Sequence, residues 1–214
     1  MADDATVMWD EVADISRLLH ELEDTEFDTP SLCDGWVVRD VLGHMVLGHT
    51  TPMVTMTGRI AKYGFNVTKA SFNESKTLFA GKSADEIRHF WDDVMVADHP
   101  RRGISRLIPN RVNFLDHLVH NQDMRRPTGH SRQVPEDRLR RALELVRTEG
   151  TPMFSPKKNV AGLKLVATDI DWSGGDGPSI EGAGEALVLT AAGRKAALPD
   201  LSGEGVKTLS GRLA

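Results

Sequence analysis

The chain has 214 residues, with 26 Lys and Arg against 31 Asp and Glu, so its formal net charge is −5. Hydrophobic residues make up 40% and charged residues 27%, which excludes bulk disorder and leaves enough apolar side chain for a sizeable core. The acidic balance argues against a phosphate backbone as main partner, and the single cysteine, Cys33, excludes a disulfide framework and a Cys-rich zinc site.

The N-terminal run MADDATVMWDEVADISRLLH is acidic and lacks the apolar segment of a signal peptide. No run approaches the ~18 apolar residues of a membrane span. The expectation is a soluble, cytoplasmic protein without nucleic-acid or membrane partners. Trp9, Val12, Ile15, Leu18, Leu19 and Leu22 recur at steps of three and four and predict a helix over 9–22. FDTPSLCDGW reads as a loop. A long helical pattern follows from Val37 toward Tyr63, with Pro52 set to break it. Further helices are predicted over 68–80 and 84–96, the second opened by a Ser83/Glu86 capping box. Pro100 and Gly103 mark a loop. The next helix is predicted from Asn110 to Arg125, ended by Pro127 and Gly129. Pro135-Glu136-Asp137 opens another that runs to Thr148.

After that the texture changes. GTPMFSPKKN reads as a linker, LKLVATDIDW as a strand, and GGDGPSIEG as a turn with a possible strand. Residues 183–192 and 205–214 read as helices. The fold class expected is mainly α: a helical domain over 1–150, then a small α+β domain over 151–214.

Chemistry concentrates in two helical segments. In NFLDHLVHNQDMRRP, Asp116 and His120 lie about 40° apart on the helical wheel, with Asp123 about 20° to the other side of Asp116. A carboxylate and an imidazole at i and i+4 can offer two ligands to one ion. The bland alternative is a surface hydrogen-bonded pair. His117 points about 60° away from His120 and reads as solvated. In DVLGHMVLGHT, His44 sits at the edge of an apolar face and His49 lies about 140° from it, so one regular helix cannot offer both to one ion. One histidine from one helix plus Asp-x-x-x-His from another gives three N/O ligands and open positions, the count of a catalytic zinc centre. Asp123 can accept from His120 or pair with Arg125 or Arg126. Asp34 or Gly35 is expected to cap the following helix, with Trp36 as core and Cys33 structural.

Three blocks of the chain carry a family resemblance. PSLCDGWVVRDVLGHM resembles the N-terminal signature, and LDHLVHNQDMRRPTG the second metal motif, of the mycothiol-dependent maleylpyruvate isomerase family, within the DinB-like helical bundles. GLKLVATDIDWSGGDGP, GEALVLTAAGRKAAL and LSGEGVKTLSGRL resemble its small C-terminal domain. The resemblance implies a DinB-like four-helix bundle and a divalent metal, zinc in the family type, on His44, Asp116 and His120. The family pattern has Glu where Asp116 stands, one methylene longer. The side chains themselves would also accept nickel, iron or manganese. The resemblance further implies mycothiol as thiol cosubstrate, an actinobacterial source, and a carboxylate-binding catalytic role for Arg194, whose bland reading is a surface arginine near a helix C-terminus. The implied activity is isomerisation, or thiol transfer, on a small electrophile. The alternative is a non-catalytic metal-binding or stress-response bundle.

Overall fold

The computed structural model describes residues 3–150 and 154–213. The chain is mainly helical with one small sheet, as expected, and divides into two compact units that meet at Ser131 and Arg132.

The first unit is a helical bundle. Helix α1 (Asp4–Glu21) starts before the periodic run at Trp9, because the Asp3 carboxylate caps it by accepting from Ala5 and Thr6 N–H at 2.8 and 2.9 Å. Helices α2 (Val38–Thr50) and α3 (Met53–Lys62) divide at Pro52. They are followed by α4 (Val67–Leu78) and α5 (Ala84–Phe90). The Ser83/Glu86 capping box is present, and α5 runs on into a π-helical turn, Trp91–Val96. Side chains from α1 (Val12, Ile15, Leu18), α2 (Val41, Leu42, Met45) and the π turn (Trp91, Met95) make the core. Burying each of them contributes about 1.5–3 kcal/mol.

Helix α6 (Asn110–Thr128) packs along α1 and against α2. It passes through Pro127 and stops only at Gly129, whose φ of +76° ends it in the left-handed region. Proline here does not end the helix, because its missing N–H is compensated from elsewhere. The Asp123 carbonyl would receive that N–H and takes the N–H of Leu32 instead, at 3.0 Å. Pro127 thereby tethers the Ser31–Trp36 loop to α6.

The α2 N-terminus also corrects an expectation. Val37 is the cap position, and the Asp40 carboxylate accepts its N–H at 3.1 Å, so neither Asp34 nor Gly35 caps the helix. Gly35 is needed for the turn itself, at φ +74°.

In the second unit, α7 (Glu136–Thr148) packs on α8 (Pro156–Val160) and α9 (Gly184–Ala191). By its packing, α7 groups with the second compact unit. The apolar stripe of α7 (Leu139, Leu143, Val146) is covered from α8 and α9. Part of the expected linker is helix α8, while residues 151–153 lie outside the described residues. The sheet has strand order β2-β1-β3, from β1 (Lys164–Ala167), β2 (Ser173–Gly174) and β3 (Ser179–Gly182). Strand β1 is antiparallel to β2 and parallel to β3, with Leu165 opposite Ile180. Helix α10 (Val206–Arg212) closes the unit. Among the described residues no helix is long and apolar enough to cross a membrane.

Candidate metal centre

The polar edge of α6 faces α2. His44, on α2, sits beside the buried Val41 and Met45 and is itself half-buried. Asp116 and His120 come from consecutive turns of α6. One donor atom from each of His44, Asp116 and His120 lies within 4.8 Å of the other two. The His120 Nε2 to Asp116 Oδ1 distance is 3.6 Å, and the His44 and His120 rings meet edge-on at 5.1 Å between centroids. The sequence-derived triad is thus one cluster in space, and the i,i+4 geometry of α6 is the reason Asp116 and His120 converge.

Each imidazole is held from behind. His120 Nδ1 is 2.9 Å from Asp123 Oδ2, and Asp123 is fully buried. The His120 pairing that the sequence allowed for Asp123 is thus present. Ser71 Oγ lies 3.2 Å from His44 Nδ1. That contact exists because α4 approaches α2 at Gly43, where any Cβ would collide with the Ser75 carbonyl. Trp36 is half-buried rather than core. Its ring leans on His44 at 5.2 Å and stacks with Phe72 at 6.1 Å, and its Nε1–H donates to the Phe72 carbonyl at 3.3 Å.

Cys33 joins this cluster, which the sequence reading missed. Its thiol donates to Asp123 Oδ2 at 3.1 Å, and Sγ is 3.8 Å from His120 Nδ1. Cys33, His120 and Asp123 also bring three donor atoms within 4.8 Å of one another. The available signal was Pro127, four residues after Asp123, which forces an outside donor onto that turn.

Electrostatics follow from the placement. Burial opposes ionisation of Asp116, but the neighbouring imidazoles, His120 foremost and then His117 and His44, outweigh it and hold the carboxyl well below its ordinary range. Burial also opposes the charge on His120, yet Asp116, Asp123 and Cys33 push its pKa well above the ordinary value. Without a cation the cluster thus keeps a proton on His120 between two carboxylates.

His117 is not solvated. It is 1% exposed, and its Nε2 meets His49 Nε2 at 2.9 Å; His49 is itself 1% exposed. His49 and His44 point apart, as the helical wheel requires. Arg194 belongs to the second unit. It is half-buried just past the left-handed Gly193 that ends α9, with Nη1 donating to the Ala192 carbonyl at 3.0 Å.

Comparison with known proteins agrees with this architecture. Residues 8–145 match the family described as the mycothiol maleylpyruvate isomerase N-terminal domain. Two solved structures are similar over 94% of this chain and 91% of theirs. One is the mycothiol-dependent maleylpyruvate isomerase, at 17% identity and a TM-score of 0.59. The other is a histidine-to-alanine mutant of the mycothiol-dependent maleylpyruvate isomerase, at 16% and 0.58. No curated protein matches the chain.

Proposed function

The chain belongs to the mycothiol maleylpyruvate isomerase family, and on that premise we propose a metal- and thiol-dependent enzyme acting on a small electrophile in the cytoplasm. His44, Asp116 and His120 would hold a divalent cation, zinc in the first instance, with mycothiol or a similar low-molecular-weight thiol as cosubstrate. The observation that carries the reading is the convergence of these three donor atoms, from two helices, within 4.8 Å. The donor set fits: two imidazoles and a carboxylate suit zinc and leave positions open for an outside ligand. Such a cation, when bound, supplies a Lewis acid that favours the thiolate of a thiol whose free pKa is about 8.5.

The protein's own groups prepare that chemistry. Asp123 accepts the Nδ1–H of His120, so that Nε2 is the atom that would lose its proton to a cation beside Asp116 and His44. Ser71 does the same for His44 through Nδ1. Trp36 and Phe72 cover His44 on one side. The Asp116 side chain is 35% exposed and marks the approach for thiol and substrate.

Two outcomes follow for the thiolate. In isomerisation, sulfur adds to an activated carbon–carbon double bond, the resulting single bond rotates, and expulsion of the same thiolate restores the double bond with inverted geometry. In transfer, the carbanion is protonated and the thioether is released. Arg194 is assigned a carboxylate of thiol or substrate, which a guanidinium holds through two parallel N–H···O bonds.

Metal analysis of protein purified without added metal tests the reading. It should give about one ion per chain, lost in His44→Ala and in His120→Ala. Thiol-dependent turnover of maleylpyruvate, or of a model electrophile, should vanish with the metal and fall in Arg194→Ala. A metal content near zero would return the chain to a non-catalytic helical bundle.

A further inference from the structure

Behind Asp116 lies a buried pair of imidazoles to which the proposed reaction assigns nothing. His117 Nε2 and His49 Nε2 are 2.9 Å apart, so one ring nitrogen donates to the other. That bond fixes the His117 ring and leaves Nδ1 as its remaining polar atom. Nδ1 is buried and makes no hydrogen bond among the described residues, while Asp116 Oδ2 lies 3.7 Å away. A buried ring nitrogen without a partner is costly. A carboxylate oxygen can be met there only by N–H, because two lone pairs repel.

His49 decides whether that N–H exists. Its Nδ1 sits between two oxygens, the Pro100 carbonyl at 3.0 Å and Ser105 Oγ at 3.2 Å. With the His49 proton on Nδ1, it is given to Pro100, and the proton between the rings must come from His117 Nε2. With the His49 proton on Nε2, the Ser105 hydroxyl donates to Nδ1 and His49 donates to His117. His117 then carries its own proton on Nδ1, directed at Asp116. The second arrangement makes a one-way chain of donors, Ser105, His49, His117, Asp116; it sets the His49 Nδ1 lone pair against the neutral Pro100 carbonyl, where the first sets the His117 Nδ1 lone pair against a charged carboxylate. The chain itself is anchored. His49 is covered by the Trp9 ring at 5.3 Å, its carbonyl accepts the N–H groups of Arg102 and Gly103 at 2.9 Å each, and Asn113 Nδ2 donates to the Ser105 carbonyl at 2.9 Å.

We infer that His117, steered by His49, is a positioning residue for Asp116: its Nδ1–H faces Oδ2 across 3.7 Å and holds it electrostatically, so that Oδ1 is presented toward His120 and His44. The inference rests on the metal reading above and extends it. The His49–His117 pair is the buttress of the carboxylate ligand, as Asp123 is of His120 and Ser71 of His44. It has particular weight in this chain because Asp116 is one methylene shorter than glutamate and places its carboxyl with less reach.

The test exploits the two amide isosteres. His117→Asn keeps an N–H near the Nδ1 position, toward Asp116. His117→Gln keeps one near the Nε2 position, toward His49, and none toward Asp116. Metal-free protein is titrated with Co²⁺ and followed by its visible absorption, with circular dichroism to confirm that both variants are folded. His117→Gln should bind Co²⁺ about 10–100-fold more weakly than the unmodified chain, and His117→Asn should stay within about threefold. Equal affinities, or the reverse order, overturn the assignment. Nitrogen-15 NMR of the unmodified, Zn²⁺-loaded protein needs no variant: the His117 proton should reside on Nδ1, and finding it on Nε2 alone overturns the assignment as well. His44→Ala separates the two levels. If it leaves Co²⁺ binding unchanged, the metal reading itself has failed. If it abolishes binding while both His117 variants behave like the unmodified chain, only the positioning role has failed.

Discussion

Helix α6 carries two buried polar clusters on opposite flanks, and they are built on opposite plans. Toward α1, Arg125 donates to Asn121 Oδ1 at 3.0 Å, to the Asp14 carbonyl at 3.2 Å and to the His130 carbonyl at 3.2 Å, and pairs with Glu21 at 3.5 Å. Asn121 in turn donates to Glu11 at 3.3 Å. Donors and acceptors alternate, and the guanidinium charge sits among carboxylates and carbonyls. Toward α2, two carboxylates, Asp116 and Asp123, converge with the imidazoles of His44 and His120, and in the metal-free chain a proton held on His120 is what balances them. A cluster that closes on itself serves the fold. A cluster with a surplus of convergent acceptors calls for a cation. Residue type alone does not distinguish them, since both contain carboxylates and nitrogen side chains.

The sharpest way to break this contrast is to damage each flank and ask what is lost. Arg125→Ala should cost about 3–5 kcal/mol in denaturant unfolding, because it strands buried acceptors, and should leave metal content per folded chain unchanged. Chelation should do the reverse. It should lower the melting temperature of the unmodified chain, by the equivalent of about 2.7 kcal/mol where free metal had stood at 100 times its Kd, and do nothing in His44→Ala. Asp123→Asn should weaken Co²⁺ affinity about 10–100-fold, measured by competition with a chelating dye, since His120 loses the charged acceptor on Nδ1.

Proton linkage gives a finer test in metal-free protein. Burial, with His117 beside it, lowers the His49 pKa from 6.5 to about 3. Between those values the unfolded chain binds a proton that the folded chain refuses, so stability rises with pH. His120 is shifted the other way, held charged chiefly by Asp116 against its burial. Above pH 6.5 the folded chain keeps a proton the unfolded chain has released, so stability falls as pH climbs. Each limb has a slope of up to about 1.4 kcal/mol per pH unit, and a melting-temperature maximum near pH 6.5 is expected. His49→Gln should flatten the acid limb and Asp116→Asn the alkaline one. The smallest effect belongs to Cys33→Ala. It removes one thiol hydrogen bond and should cost about 1 kcal/mol or less by thermal melting, with metal content retained.

Much of this was legible in residue order. The helices read as periodicity, Pro52 and the Ser83/Glu86 box marked their ends, and His44, Asp116 and His120 stood out through spacing and the family resemblance. What could not be read was anything set by contacts distant in sequence. His117 looked solvated because a helical wheel shows direction and not what lies there; His49 meets it in the interior. Cys33 looked inert because its partner, Asp123, is 90 residues away. The packing of α7 on α8 and α9 could not be read either, because an apolar stripe does not say which surface it will meet.

Sequence by itself determined the local terms: which segments coil, where proline and glycine stop them, and which turn of α6 presents a carboxylate beside an imidazole. These depend on residues three or four apart, whose geometry the helix imposes. Only the tertiary structure decided which polar groups satisfy one another and which are left converging. That outcome depends on Leu32 filling the gap made by Pro127, on Gly43 admitting α4, and on two buried imidazoles meeting behind Asp116, all of them encounters between parts of the chain that only packing brings together.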